Sequence, residues 1–506
     1  MLNGAATSGG AALPGLRRLW DQPAAGADPS APALVRSGGE EVTAGALSEA
    51  VLRAAATLAE MGARPGSVVG VAVPDPCGFV VAALAAWETG AALLPLDARI
   101  GAAAWEPLAV RARARLVVID ASPAGELAFN FLEPADAGLD PRCALLLFTS
   151  GSSGPPKGVL LSRAGLCRNV DAILGYLPLA AAPRTALVLP LTYGYALVGQ
   201  ALVTLRAGAT LLLLGDLRFP ALQLDAMARF GADGLSSVPA SLRLLARAAI
   251  EAREGGEAAE VPALRYAASA GAALDAGTTA LLRQAFPGAR LFNQYGLTEC
   301  SPRVAALGDD HPRFGEGALL PLPGISIWAE DGLGHVLPPG EQGRLHLRGG
   351  STMLGYLDDP EATARALRPD GALDTGDVGH LDAEGLLFVS GRADGVVKVA
   401  GERVGLEGVA AVLRTPPAVR DAVVVAIPDE VLGARLYAFV EGEEGAAEQV
   451  RLVARDLLPA RRPAKVLQLP ALPRTPTGKV DHAALRALAA KLRASGSDPG
   501  SRGGGT

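Results

Sequence analysis

Residues 148–158 read FTSGSSGPPKG and follow the apolar run ALLL at 144–147. A strand that empties into Thr149, Ser150, Gly151, Ser152, Ser153 and Gly154 presents hydroxyls and unhindered backbone N–H groups. That combination suits a chain of phosphates. Lys157 adds a compact ammonium, a point charge for the outer phosphates. The loop is not a Walker A motif, because no G-x-x-x-x-G-K-[ST] spacing fits and Gly158 follows the lysine. Ser/Gly composition also makes flexible linkers. The strand before the loop and its P-P-K-G ending favour a ligand loop.

The rest of the chain is consistent with an enzyme of that kind. At about 150 residues per domain, 506 residues predict two to four domains. Half the residues are hydrophobic and 19% are charged, so the chain is globular. A net charge of −6 gives no electrostatic reason to expect nucleic acid. Cys77, Cys143, Cys167 and Cys300 are scattered without C-x-x-C or histidine spacing, and read as reduced thiols rather than a disulfide frame or zinc site. The N-terminus lacks the pattern of a signal peptide, and a cytoplasmic location is expected. Thr185 to Leu205 is uncharged and long enough to span a membrane. Its strand-like ALVLPL gives way to a helical pattern midway, so a buried strand–loop–helix is expected instead of a span.

Apolar runs at 68–73, 145–150, 185–190 and 209–214 alternate with helical patterns such as FVVAALAAWETG at 79–90, which predicts an α/β fold with parallel sheets covered by helices. Near Asp377 the texture changes to short strands with Gly-rich turns. The expected division is a disordered N-terminus at 1–14, a large domain at 15–394, a smaller one at 395–495 and a disordered tail at 496–506.

Of 46 basic residues only five are lysines: Lys157, Lys398, Lys465, Lys479 and Lys491. A chain that uses arginine for generic positive charge keeps lysine where a compact ammonium on a flexible stem is needed. Lys157, Lys398 and Lys479 fall in Gly-rich motifs. NQYGLTE at 293–299 follows a strand-like ARLF and brings an amide, a ring, a hydroxyl and a carboxylate to a strand end, where a base, a phosphate and Mg²⁺ could be held. Asp377 sits on a T-G-D turn suited to ribose hydroxyls. Arg392 lies in GRADG, and PRTPTGKVDHAAL at 473–485 places Lys479 on a loop before a helix.

Together these motifs resemble the adenylate-forming superfamily: acyl- and aryl-CoA synthetases, adenylation domains of nonribosomal peptide synthetases, and beetle luciferase. The resemblance runs from about Val68 to Leu485 and takes in AAWETGAALLPLD at 85–97, SAGAAL at 269–274 and GRLHLRGGSTMLGYLDDPEAT at 343–363. It implies a large N-terminal domain of parallel sheets plus a distorted barrel, and a mobile α+β C-terminal domain hinged at Asp394. It also implies ATP with Mg²⁺, a carboxylic acid substrate, and CoA or a carrier protein's phosphopantetheine as thiol acceptor. The 149–154 loop and Lys157 would wrap the β- and γ-phosphates. Gly271, Ala272, Ala273, Asn293, Tyr295 and Gly296 would form the adenine slot, and Thr298 would touch the α-phosphate. Glu299 would carry Mg²⁺, Asp377 would hold the ribose with Arg392 nearby, and Lys479 would bridge the substrate carboxylate and the α-phosphate. Lys398 and Gly401 would line the thiol channel. The resemblance leaves room for a homodimer.

The acid pocket departs from two common patterns. LPLTYGYAL at 189–197 has Tyr193 and Tyr195 where many relatives carry a His or an Asp. No carboxylate is evident there to pair with an α-ammonium, so an apolar acyl or aryl acid is expected; the two tyrosines could equally gate the pocket or pack the core. Ser269 is assigned to the same pocket. Arg303 either meets an anionic group or ties down its loop. Gly408, Ala410 and His482 also depart from residues frequent in relatives. The expected activity is an acyl-CoA synthetase. The alternative is a free-standing enzyme that loads an acyl or amino acid onto a carrier protein.

Overall fold

The structure of the protein, a computed structural model, describes residues 28–133, 138–149, 156–181, 183–215, 219–255, 261–399, 402–429, 432–474 and 480–494. The two expected disordered termini lie outside the described residues. The chain packs as two compact units: 1–147 with 159–216, and 148–158 with 217–506.

The first unit contains β1 (Pro32–Arg36), β2 (Glu41–Thr43), β3 (Val68–Val71), β4 (Ala92–Pro95), β5 (Leu116–Ala121), β6 (Leu127–Phe131), most of β7 (Cys143–Thr149) and β8 (Lys157–Ser162), β9 (Arg184–Leu187) and β10 (Thr210–Leu213). In one sheet β3 lies parallel to β4 and β5, and β4 lies parallel to β7. In another, β1, β10 and β9 run parallel and β2 closes the edge antiparallel. All four residues of β3 are buried, as expected of a parallel strand covered on both faces.

The helix Pro76–Glu88 buries every residue from Cys77 to Trp87. Asp75 caps it by accepting from the Gly78 N–H at 2.8 Å. A Cβ on Gly78 would sit 2.0 Å from the Ala121 carbonyl, so only glycine allows this helix so close to β5. Trp87 Nε1 donates to the Ala144 carbonyl at 2.6 Å, which pins the helix to β7, the strand feeding the Ser/Gly loop.

The uncharged segment folds as a strand, Arg184–Leu187, and helical turns from Gly194 to Arg206, with Leu197–Leu202 wound as a π-helix. No helix among the described residues is long and apolar enough to cross a membrane. The four cysteines are free, and Cys77, Cys143 and Cys300 are buried. Burial pushes these three thiols up to about 11, 12 and 11.

In the second unit β11 (Gly234–Ser237), β12 (Tyr266–Ser269) and β13 (Arg290–Tyr295) run parallel, with Ser237, Ser269 and Asn293 in register at their ends. The sheet continues antiparallel in the spatial order β14 (Ala305–Gly308), β15 (Ala318–Pro321), β20 (Leu387–Arg392), β19 (Leu373–Leu381), β17 (Gly343–Gly349) and β16 (Ile325–Glu330), while the short β18 (Gly355–Tyr356) lies between β17 and β19 in the chain. A hairpin of β21 (Val396–Val399) and β22 (Glu402–Gly405) follows. Then β23 (Val419–Asp429) pairs antiparallel with β24 (Gly433–Gly442), and β24 pairs parallel with β25 (Lys465–Leu469).

The boundary expected near Asp394 falls inside this second unit. Residues beyond it nevertheless build cores of their own. Leu436, Ala438 and Val440 face one cluster with Leu413 and Val450, while Tyr437 and Phe439 face another with Leu485 and Ala489. Alternate residues of β24 thus serve opposite faces of one sheet, each covered by a helix.

Beside β16 and β17, Glu330 is 4% exposed and accepts from Trp328 Nε1 at 2.7 Å and from Arg368 at 2.8 and 2.6 Å. The Arg368 guanidinium holds the Glu330 carboxyl down to about 2. Burial pushes the neighbouring His346 below its ordinary value, with Nε2 3.3 Å from Glu330. Both groups bind protons less readily folded than unfolded. Their contribution is therefore present at neutral pH and declines on acidification, first through the histidine range and then between about pH 4 and 2. Glu330→Gln should cost about 1–3 kcal/mol at pH 7 and flatten the acid limb of stability below pH 4, measured by denaturant unfolding across pH. An unchanged acid limb would refute this account.

Candidate active site

Three strand ends and one turn supply the described part of the site, all within the second unit. Parallel strands deliver their C-terminal residues to a crevice, and β13 ends in Asn293, Gln294 and Tyr295. The chain then folds back sharply. A Cβ on Gly296 would lie 2.0 Å from the Pro302 carbonyl, so the turn closes only around a glycine. Thr298–Cys300 form a single 3₁₀ turn that presents Glu299. Its back is held by Met353 N–H on the Glu299 carbonyl at 2.8 Å and by Ser301 Oγ on the Ser351 carbonyl at 2.8 Å.

Asp377 is 4% exposed on β19, and Tyr295 donates its hydroxyl to Asp377 Oδ2. Arg392, paired with Asp377 across β19 and β20, places Nη1 3.5 Å from Oδ1 and donates to the Thr375 carbonyl at 3.1 Å. The T-G-D turn explains the arrangement. Thr375 Oγ1 donates to Leu345 O at 2.8 Å and accepts from the Asp377 N–H at 3.0 Å, which fixes the carboxylate's backbone. Gly376 has φ +71°, which favours glycine, and a Cβ there would stand 2.7 Å from Arg392 Nη2 and displace that guanidinium. Burial, then the Asp377 charge, push the Tyr295 phenol well above its ordinary value, so it remains a donor.

Glu299 has a tyrosine of its own. Tyr356 donates its hydroxyl to Glu299 Oε1 at 2.9 Å, and Lys157 Nζ sits 4.9 Å from the centre of the same ring. Thr149 Oγ1 donates to the Lys157 carbonyl at 3.4 Å across the mouth of the loop. Burial, then the Glu299 charge, raise the Tyr356 phenol. Gly271, Ala272 and Ala273 are exposed, and Gly271 takes φ +86°. Ser269 is buried at 1% exposure, in register with Asn293, and its hydroxyl has no hydrogen-bond partner among the described residues. Arg303 is 2% exposed, among the largest fully buried side chains.

Ser150, Gly151, Ser152, Ser153, Gly154, Gly401 and Lys479 lie outside the described residues. Lys398 belongs to β21 and Asp394 to the turn before it. In the first unit, Tyr193 and Tyr195 are both partly buried around the short helix Gly194–Ala196, and burial raises the Tyr193 phenol. The π-helix that follows carries Gln200, 2% exposed, with neither amide atom partnered among the described residues. Sequence reasoning had not singled out Tyr356, Thr375 or Gln200. The first two stood inside quoted motifs, but only tertiary contacts reveal what they hold.

No group of three or more His, Cys, Asp or Glu able to cage a metal exists among the described residues. Mg²⁺ in nucleotide sites takes one or two carboxylates and completes its shell with phosphates and water. Glu299 beside Lys157 fits that pattern: one anchoring carboxylate and a cation for the same phosphates.

Residues 22–357 match the AMP-binding enzyme family, and residues 408–479 match its C-terminal domain. The chain belongs to the AMP-binding enzymes. It is 31% identical to novobiocin biosynthesis protein H of Streptomyces niveus, over 93% of this chain and 82% of that one. It is 30% identical to a feruloyl-CoA synthase of an Amycolatopsis species, over 88% and 94%. The crystal structure of ATP-bound MatB from Rhodopseudomonas palustris superposes with a TM-score of 0.79 at 25% identity, over 94% and 98%. The fold and the broad class therefore follow: an α/β, AMP-forming ligase of the adenylate-forming acid–thiol type.

The 296–303 turn, which closes around Gly296, presents Glu299. Gly296→Ala should destabilise the protein by about 3 kcal/mol and cut pyrophosphate exchange more than about 100-fold. Gly332→Ala, at an ordinary φ with open space around it, should change stability by less than about 1 kcal/mol and leave exchange intact. Thermal unfolding and exchange assays on both variants check this contrast.

Proposed function

We propose that the protein activates a carboxylic acid with ATP, releasing pyrophosphate, and passes the resulting acyl-adenylate to a pantetheine thiol. One observation carries the reading. The end of β13 sends Tyr295 to the Asp377 carboxylate and, one turn later, Glu299 to Tyr356 beneath the Lys157 ammonium. A carboxylate for sugar hydroxyls, a carboxylate for a metal and a cation for phosphates thus stand around one strand end.

The chemistry requires such a set. A carboxylate oxygen attacks the α-phosphorus and pyrophosphate leaves, so two anions must approach before any bond forms. Lys157 binds the outer phosphates and offsets charge on the leaving group. Mg²⁺, held through Glu299, would supply Lewis-acid polarisation of the phosphates when bound. Asp377, kept oriented by Tyr295, Thr375 and Arg392, accepts the ribose hydroxyls and sets the nucleotide's position. Lys479 bridges the attacking carboxylate and the α-phosphate. A thiolate then attacks the activated carbonyl and AMP leaves. The residues after Asp394 form a lid that serves both half-reactions, with Lys398 and Gly401 along the thiol path.

The acid is an aryl or apolar acyl acid, and an aryl acid with a polar ring substituent fits best. Tyr193 and Tyr195 supply aromatic walls, and Gln200 on the adjoining π-helix offers a buried amide with unmet hydrogen bonds. A feruloyl-CoA synthase among the relatives supports that class. The carrier-protein alternative is supported by the 33% identity to phosphinothricin tripeptide synthetase PhsC, of which the chain covers 42%.

Pyrophosphate exchange across aryl, short, medium and long acids, followed by mass spectrometry of CoA and carrier-protein products, tests the reading. Release of AMP and an acyl- or aryl-CoA is expected; ADP, or acylation of a carrier alone, would overturn the first choice. Lys479→Ala should slow adenylate formation by about 100-fold or more while thiol capture from supplied adenylate persists. Gln200→Leu should reduce preference for a hydroxylated over an unsubstituted aryl acid by about tenfold in kcat/KM, and unchanged preference would remove Gln200 from the pocket.

A further inference from the structure

Tyr356 occupies a place that its surroundings define from two sides. Leu357 N–H donates to the Gly158 carbonyl at 2.7 Å, laying this segment beside the start of β8. Gly158 permits the approach, since a Cβ there would sit 3.0 Å from Leu357 Cβ and 3.2 Å from the Phe148 ring. On the other side, Tyr356 N–H donates to Thr363 Oγ1 at 2.9 Å. Thr363 belongs to the helix Pro360–Ala366, capped by Asp359, which accepts from the Ala362 N–H at 2.8 Å. The stretch GYLDDPEAT is therefore a brace: helix cap, proline start and threonine hydroxyl all serve to fix one tyrosine.

What that tyrosine separates is a pair of opposite charges. Its hydroxyl donates to Glu299 Oε1 at 2.9 Å, and Lys157 Nζ lies over its ring at 4.9 Å. Among the described residues no ion pair joins Lys157 to Glu299. A direct pair would quench both charges and leave neither for a phosphate or a metal. The ring satisfies the ammonium through its π face, and the hydroxyl satisfies one carboxylate oxygen while leaving the second available.

We propose that Tyr356 is a positioning residue that holds Glu299 and Lys157 apart and aimed, the carboxylate toward Mg²⁺ and the ammonium toward the nucleotide's outer phosphates. This rests on the proposed function, since it assumes that those two groups receive metal and nucleotide. Residues that orient a metal's carboxylate commonly change metal affinity 10- to 100-fold when altered. The hydroxyl and the ring can be removed one at a time, which separates the two roles.

The test titrates the full-length protein by calorimetry, first with α,β-methylene-ATP in EDTA and then with Mg²⁺ at saturating analogue. Tyr356→Phe keeps the ring. It should raise the Mg²⁺ dissociation constant about tenfold or more while changing metal-free analogue binding less than about twofold. Tyr356→Leu removes both contacts and should weaken metal-free analogue binding about fivefold as well, because Lys157 is then free to pair with Glu299. Both variants are compared with wild type by thermal unfolding. Wild-type Mg²⁺ affinity in a folded Tyr356→Phe, or equal losses of metal and analogue binding in it, would overturn the proposal while leaving the adenylation reading intact. Failure of the wild-type protein to bind the analogue would instead sink that reading and this inference with it.

Discussion

A tyrosine hydroxyl bound to a buried carboxylate joins the two halves of the site. Tyr295 leaves the last position of a parallel strand and donates to Asp377, which β19 carries in the antiparallel part of the same unit. Because the carboxylate is 4% exposed, that bond forms away from water, where loss of a partner is most costly. Everything built on either strand end inherits its position from this contact: the Gly296 turn and Glu299 on one side, the T-G-D turn and Arg392 on the other.

Glycine makes these contacts geometrically feasible. Gly296 lets the chain pass over Pro302, Gly376 lets Arg392 lie across its own turn, and Gly158 lets the Tyr356 segment run beside Lys157. At Gly296 no side chain would permit the approach, because a Cβ would meet the Pro302 carbonyl at 2.0 Å, while at Gly376 and Gly158 a side chain would displace its neighbours. The polar groups are then satisfied in sequence, from Leu345 through Thr375 to Asp377 and Arg392, and from Asp359 through Thr363 to Tyr356 and Glu299. The result is a pair of carboxylates each oriented by a tyrosine hydroxyl, Glu299 by Tyr356 and Asp377 by Tyr295, with the Arg392 guanidinium 3.5 Å from Asp377 as well.

Much of this could be read in advance. Continuous apolar runs such as VVGV, buried on both faces and alternating with helical patterns, are typical of parallel sheets covered by helices, so the α/β class followed from them. The uncharged segment at 185–205 betrayed itself by its change of period, and it is a strand followed by helical turns. Glu299, Asp377 and Arg392 could be picked out as candidates because each stands in a short polar motif that contains a glycine. Tyr356 and Thr375 could not, since a tyrosine or threonine next to a glycine looks the same whether it holds a carboxylate or only faces solvent. Gln200 was hidden for a similar reason: a glutamine in an apolar helix shows its unmet hydrogen bonds only once its neighbours are in place.

The residue order alone determined the alternation of strand and helix, the Gly-rich loops and the types of charge they carry, because local sterics and hydrophobic period act over a few neighbours. The tertiary structure decided which charge meets which partner. Tyr295 reaches Asp377 across 82 positions of chain, and Tyr356 reaches Glu299 across 57. Contacts at such separations depend on how sheets stack and where helices cap, and no window of sequence contains both ends of the bond.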